Sequence, residues 1–311
     1  MKTPWIGGFI LLLFLSACSG SPVEEGNISH TPDVPAPAKT SPVPVTLAVP
    51  SQTPDPTELP TTDSSVDNKT LVACQEESGS VQPYEILWKD QEITGRIYTP
   101  PCYGQNPDLE YPTLYLLHGA TVTDEQWDDL GVDEVADYLI NEEQIPPLII
   151  IMPREITWVV LPENQFGENL VNIVIPWVTQ EYQALEGRQY RAIGGLSRGG
   201  NWAARIGLLH WGLFGSFGAH STPLFLTDLK RVPEWIVSIP SSMMPRIYLD
   251  IGDGDNNLAE AEAFRDLLTK LDIPHEWHLN PGLHVETYWK SHLEEYLLWY
   301  SAGWEDNLST Q

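Results

Sequence analysis

One serine in this chain stands in a setting that could expose its hydroxyl as a nucleophile. Ser197 stands between Gly195 and Gly199 in AIGGLSRGG, after a strand-like run, YRAIGG, and before a helix-compatible run, NWAARIGLLH. A tight strand-to-helix turn strains the backbone of its central residue and crowds the neighbours, so the two glycines give clearance where side chains would collide. The helix start that follows presents unpaired N–H groups and a positive dipole end, which favour an oxyanion forming beside Ser197.

A lone hydroxyl is a weak nucleophile; it needs a base, and the base needs an acid to orient it. After Ser197, the run RIYLDIG leads into DGDNN, which places Asp250, Asp253 and Asp255 near the C-terminal edge of a sheet. Further on, PGLHVETYW puts His284 in a Pro-Gly loop just ahead of a helix. His275 and His278 flank a strand-like run, His292 falls in a helical pattern, and His220 precedes every candidate acid. A surface or structural role is expected for the three in strand-like or helical runs, and the order nucleophile, acid, histidine that α/β-hydrolase triads follow excludes His220, which leaves His284. Asp255 is preferred as the acid because Gly252-Asp253-Gly254 lets the chain turn and leaves Asp255 facing the site, whereas Asp250 falls within the strand. Asp253 remains the alternative, and an aspartate that merely satisfies turn backbone is the bland reading of either.

A second oxyanion donor is expected from an earlier loop. In LYLLHGATVTDEQW, His118-Gly119 ends a strand, so the backbone N–H of Ala120, or of its neighbour, is expected to pair with that of Arg198. His118 would orient that loop, and Trp127 is expected to pack.

The elements that must hold these residues alternate. TLYLLHG, PLIIIM, YRAIGG, FGSFGAH and RIYLDIG are continuous apolar or β-rich runs, as buried parallel strands should be. Apolar spacings of three and four predict helices over 132–140, 167–182, 201–210, 258–271 and 286–301. Such alternation predicts an α/β fold with a mostly parallel central sheet and helices on both faces.

Four pieces in order, YPTLYLLHGA, IGGLSRGG, GDGD and PGLHVETYW, resemble the esterase family that contains esterase D (S-formylglutathione hydrolase), feruloyl esterases, enterochelin esterase and the mycolyltransferases. The resemblance runs over residues 86–298. It implies an α/β-hydrolase fold, no metal or organic cofactor, and acyl-ester chemistry on a small-molecule or polysaccharide-linked ester. An acyltransferase would use the same residues, and a surface lipoprotein using the fold only for binding is the non-enzymatic alternative. The segments 154–166 and 222–244 match nothing in the family pattern and are expected to shape the substrate pocket.

The opening residues, MKTPWIGGFILLLFLSACSG, have the layout of a secretory signal, too short for an ordinary membrane span. Leu15-Ser16-Ala17-Cys18 resembles the lipobox of bacterial lipoproteins, which implies a signal peptide over 1–17, a lipid on Cys18 and anchoring to the cell envelope. Ser19 in place of aspartate favours the cell surface or outer membrane. Residues 19–70 hold ten prolines and no Phe, Tyr or Trp, so the linker from Cys18 to Thr70 cannot bury enough apolar surface to order itself. Residues 71–311 form the expected catalytic domain. Two strand-like runs lie between Cys74 and Cys102, and a hairpin joining them would bring the cysteines together as a disulfide. The formal charge of −27 argues against nucleic acid and anionic lipid surfaces as partners, leaving the N-terminal lipid as the expected membrane contact.

Overall fold

The computed structural model describes residues 77–156, 164–225 and 227–308. The expected signal segment, Cys18, the linker and Cys74 lie outside these residues. Among the described residues no helix is long and apolar enough to cross a membrane.

Eight strands form one sheet: β1 (Ser80–Trp88), β2 (Gln91–Thr99), β3 (Thr113–Leu117), β4 (Ile149–Pro153), β5 (Arg191–Leu196), β6 (Ser216–His220), β7 (Arg246–Gly252) and β8 (Glu276–Asn280). Their order is β1-β2-β4-β3-β5-β6-β7-β8. The hairpin β1–β2 is antiparallel and β2 meets β4 antiparallel, while every other neighbour pair is parallel. Strands β3 to β6 are buried along their whole length, which is why each reads as an apolar run without alternation. This is the α/β-hydrolase arrangement that the motifs implied.

Helices α1 (Gln126–Asp129), α2 (Val132–Asn141), α3 (Phe166–Asn169), α4 (Ile175–Glu181), α5 (Arg198–Leu209), α6 (Asp228–Val237), α7 (Leu258–Lys270), α8 (Glu286–Ser291) and α9 (Leu293–Leu308) accompany the strands. Two apolar cores result, one on each sheet face. Trp202, Ile206, Trp235 and Phe264 from α5, α6 and α7 lie in one with Tyr115 and Phe217, and Leu139, Leu293, Tyr296 and Tyr300 from α2 and α9 lie in the other with Leu114 and Tyr248.

Two expected helices are interrupted. The run predicted over 167–182 contains a π-helical turn, Leu170–Val174, between α3 and α4. Pro176 has no N–H for the carbonyl four residues back, and a widened turn accommodates that lost bond. The run predicted over 286–301 breaks at His292, whose Nδ1 pairs with the Tyr288 carbonyl at 2.7 Å and closes α8. The segment 222–244, for which no element was expected, contains α6 with Pro233 inside it.

The hairpin register pairs Ser80 with Thr99, so the chain before β1 and after β2 leaves from the same end. Cys102, just beyond β2, is disulfide-bonded.

Candidate active site

Ser197 occupies the turn between β5 and α5 with φ 53° and ψ −116°. A left-handed φ on a side-chain-bearing residue is strained, and the structure secures it from three sides. The Ser197 N–H donates to the His220 carbonyl at 2.8 Å, while the Ser197 carbonyl accepts the Asn201 N–H at 3.2 Å and the Thr222 hydroxyl at 3.3 Å. The adjacent glycines are required by contact. A Cβ on Gly199 would strike the Leu117 carbonyl of β3, and one on Gly195 would strike the backbone of Gly199.

His284, in the loop after β8, brings Nε2 to 3.0 Å from the Ser197 hydroxyl. Its Nδ1 lies 2.8 Å from Oδ2 of Asp255. An ionised aspartate only accepts, so Nδ1 donates to it and Nε2 is left to accept the serine proton. Asp255 is held in turn by the Asn257 N–H, which donates to its other oxygen at 2.8 Å. The Asp255 side chain is fully buried and that of His284 is 23% exposed, so the imidazole alone meets the solvent side. Trp289 stands edge-on to the His284 ring at 5.0 Å, walling one side.

Asp253 does not reach His284. It is exposed, and its carboxylate accepts the Gly282 N–H at 3.1 Å, bracing the loop that carries the histidine. Asp250 lies within β7, as expected, and is buried. It accepts from the Tyr288 and Tyr296 hydroxyls at 2.8 Å each and lies 2.6 Å from Nδ1 of His220. This second His–Asp pair is sealed between β6, β7 and the last two helices. Its sequence signal was ambiguous, because a buried histidine at a strand end looks the same as a catalytic one.

A cavity of about 650 Å³ opens over Ser197 and His284, lined also by Ala120, Val122, Leu196, Val285 and Trp289. Among the described residues nothing accepts the Ala120 N–H, which leaves it available to a ligand in that space. Trp127 packs, 1% exposed, and its indole N–H donates to the Leu117 carbonyl at 3.0 Å, tying the loop to its strand.

A second cavity, about 580 Å³, is lined by Gln91, Ile93, Arg154, Asn164, Phe166 and their neighbours and includes neither Ser197 nor His284. Parts of 154–166 thus shape this neighbouring hollow, and residues 157–163 lie outside the described residues. Segment 222–244 contributes Thr222 beneath the serine. Among the described residues no group of acidic, histidine and cysteine side chains is arranged to hold a metal ion.

The family model described as "Putative esterase" matches residues 88–300. Esterase Rv1288 of Mycobacterium tuberculosis is 26% identical over 228 residues, covering 56% of this chain and 49% of its own length. An endo-1,4-beta-xylanase/feruloyl esterase of Xylanibacter ruminicola is 25% identical over 174 residues, covering 52% of this chain and 23% of its own length. The chain therefore spans about half or less of these curated relatives. A solved ferulic acid esterase superposes with a TM-score of 0.65 at 24% identity, over 73% of this chain and all of the other.

Proposed function

The chain belongs to the esterase family, and from that premise we propose that it is a serine carboxylic-ester hydrolase working through Ser197, His284 and Asp255. The observation that carries the reading is the unbroken contact line from Asp255 through His284 to a strained Ser197 at the mouth of one cavity. In this reading His284 takes the serine proton as the hydroxyl attacks the ester carbonyl. The Ala120 and Arg198 N–H groups stabilise the oxyanion of the tetrahedral intermediate. The intermediate collapses, the ester C–O bond breaks, and the alcohol leaves with the proton from His284. Water, activated by the same histidine, then attacks the acyl-serine and releases the acid. No cofactor takes part.

Hydroxycinnamoyl esters are the substrates to test first, because a feruloyl esterase activity is named for the Xylanibacter relative and a ferulic acid esterase shares the fold. The experiment is rapid mixing with p-nitrophenyl acetate followed by acid quench and peptide mass analysis. An acetyl group on the peptide containing Ser197 is expected, and its absence during turnover would rule out the acyl-enzyme. Glycerol added to the reaction separates hydrolysis from acyl transfer by the product formed.

We also read the chain as exported and lipid-anchored to the bacterial cell envelope, supported by the signal-like opening and the Leu15-Ser16-Ala17-Cys18 run. Metabolic labelling with a fatty-acid analogue should mark the wild-type chain and leave Cys18→Ala unlabelled. Equal labelling of both would remove the anchor.

A further inference from the structure

The proposed reaction needs two backbone donors, and they come from different loops: Ala120 after β3 and Arg198 at the start of α5. A continuous set of polar contacts joins these loops behind the cavity. His118 is 2% exposed, its Nδ1 lies 2.8 Å from the Gly119 carbonyl, and its Nε2 accepts the Glu155 N–H at 2.9 Å. With Nε2 accepting, the ring proton must sit on Nδ1 and donate to Gly119, so the imidazole is neutral.

The consequence for catalysis follows from peptide geometry. In a planar trans peptide the Gly119 carbonyl and the Ala120 N–H point in opposite directions. Drawing the carbonyl back onto His118 aims the N–H outward, into the cavity that Ala120 shares with Ser197. Gln126 fixes the other side of Gly119 by accepting its N–H at 2.8 Å.

From Glu155 the contacts continue to the second donor. The Glu155 side chain is 2% exposed and accepts both Nε and Nη2 of Arg198, at 2.8 and 2.6 Å. Asn164 donates to the same carboxylate at 2.8 Å. A two-point guanidinium–carboxylate clasp restricts orientation as well as distance, so it restrains the residue whose backbone N–H the proposed reaction assigns to the oxyanion.

We propose that His118 and Glu155 are positioning residues that set both oxyanion donors as one unit. His118 fixes the Gly119–Ala120 peptide, and Glu155, joined to His118 by its N–H and to Arg198 by its carboxylate, fixes residue 198. The inference rests on the esterase reading above. Neither side chain touches the reacting atoms. Burial holds the His118 pKa below its ordinary value, which keeps Nε2 available as an acceptor.

The test uses the full-length chain and two substrates, p-nitrophenyl acetate and the O-ester thionoacetate in which sulfur replaces the carbonyl oxygen. Sulfur is larger and a poorer hydrogen-bond acceptor, so well-set donors favour the oxygen ester. For His118→Phe we expect kcat to fall about 10- to 100-fold, less than the 10²–10³ typical of deleting a donor, with KM unchanged within about twofold. The oxygen-to-sulfur rate ratio should fall in the same proportion, which a merely structural defect would not produce. Glu155→Gln keeps the shape and the N–H bond to His118 and should give a smaller loss of the same kind, so the inference survives a misfolded His118→Phe. Melting curves identify the folded variants. Wild-type kcat in folded variants, or a lower kcat with an unchanged ratio, would overturn the positioning role while Ser197→Ala stays inert. Turnover that persists in Ser197→Ala would overturn the esterase reading itself.

Discussion

Ser197, His284 and Asp255 form a line in which each side chain has one partner on the next, so single changes should act on chemistry more than on binding. For Asp255→Asn, steady-state kinetics should show kcat lower by about 10³–10⁴ with a small change in KM, because the amide can donate and favours the wrong imidazole tautomer. Asp253→Asn should keep kcat within about threefold, since its side chain braces the Gly282 N–H and not the imidazole, and the amide oxygen can still accept that bond. Equal losses of kcat in the two would mean that the acid has been misassigned. At this scale the sequence was most informative where chain order restricts the choice. It was least informative for Glu155, because a buried carboxylate needs a partner and nothing in REITW announces that Arg198 is that partner.

At the scale of elements, the turn from β5 into α5 depends on close contact with β3. Gly199→Ala puts a methyl group against the Leu117 carbonyl, where backbone and not a flexible side chain must give way. A destabilisation of about 1–3 kcal/mol by denaturant melts is expected, with activity lost further as the helix start moves. An unchanged melt and rate would show that the turn is looser than described. Strands were easily read because burial on both sides makes them uniformly apolar, as in IIIMP of β4. Helix continuity was not, because the breaks at Pro176 and His292 arise from hydrogen-bond bookkeeping and not from loss of apolar spacing. The second break is useful: it lets Tyr288 of α8 and Tyr296 of α9 both reach Asp250. For the hairpin, we propose that Cys74 is the partner of the disulfide-bonded Cys102. Peptide mapping of unreduced chain should recover these two cysteines linked, and free Cys74 would exclude the pairing.

For the whole molecule, a half-buried acid and a buried histidine give opposing dependences of stability on pH. Burial, with the neighbouring Glu134 adding to it, pushes the Asp133 pKa up to about 7 from 3.8. The fold thus favours the protonated acid, and that stabilisation is complete below about pH 4 and lost as pH rises through 7. Asp133→Asn should therefore raise Tm at pH 8 and leave it unchanged near pH 4, and a lower Tm at pH 8 would contradict this. His118 has the opposite sign, because burial lowers its pKa from 6.5 and the fold favours the neutral ring. Its contribution is complete above about pH 6.5 and lost as pH falls below that, so His118→Phe should flatten the acid limb of the Tm curve. The alternation of strands and helices made the parallel sheet legible, whereas the rear link between two loops depends on side chains far apart in the chain. The account as a whole rests on Ser197 acting as a nucleophile, and the most direct measurement is p-nitrophenol release from p-nitrophenyl acetate and butyrate by wild type and Ser197→Ala. Turnover by the wild type that vanishes in a folded Ser197→Ala is the predicted result. Equal rates, or a wild type inert toward both esters, would contradict it.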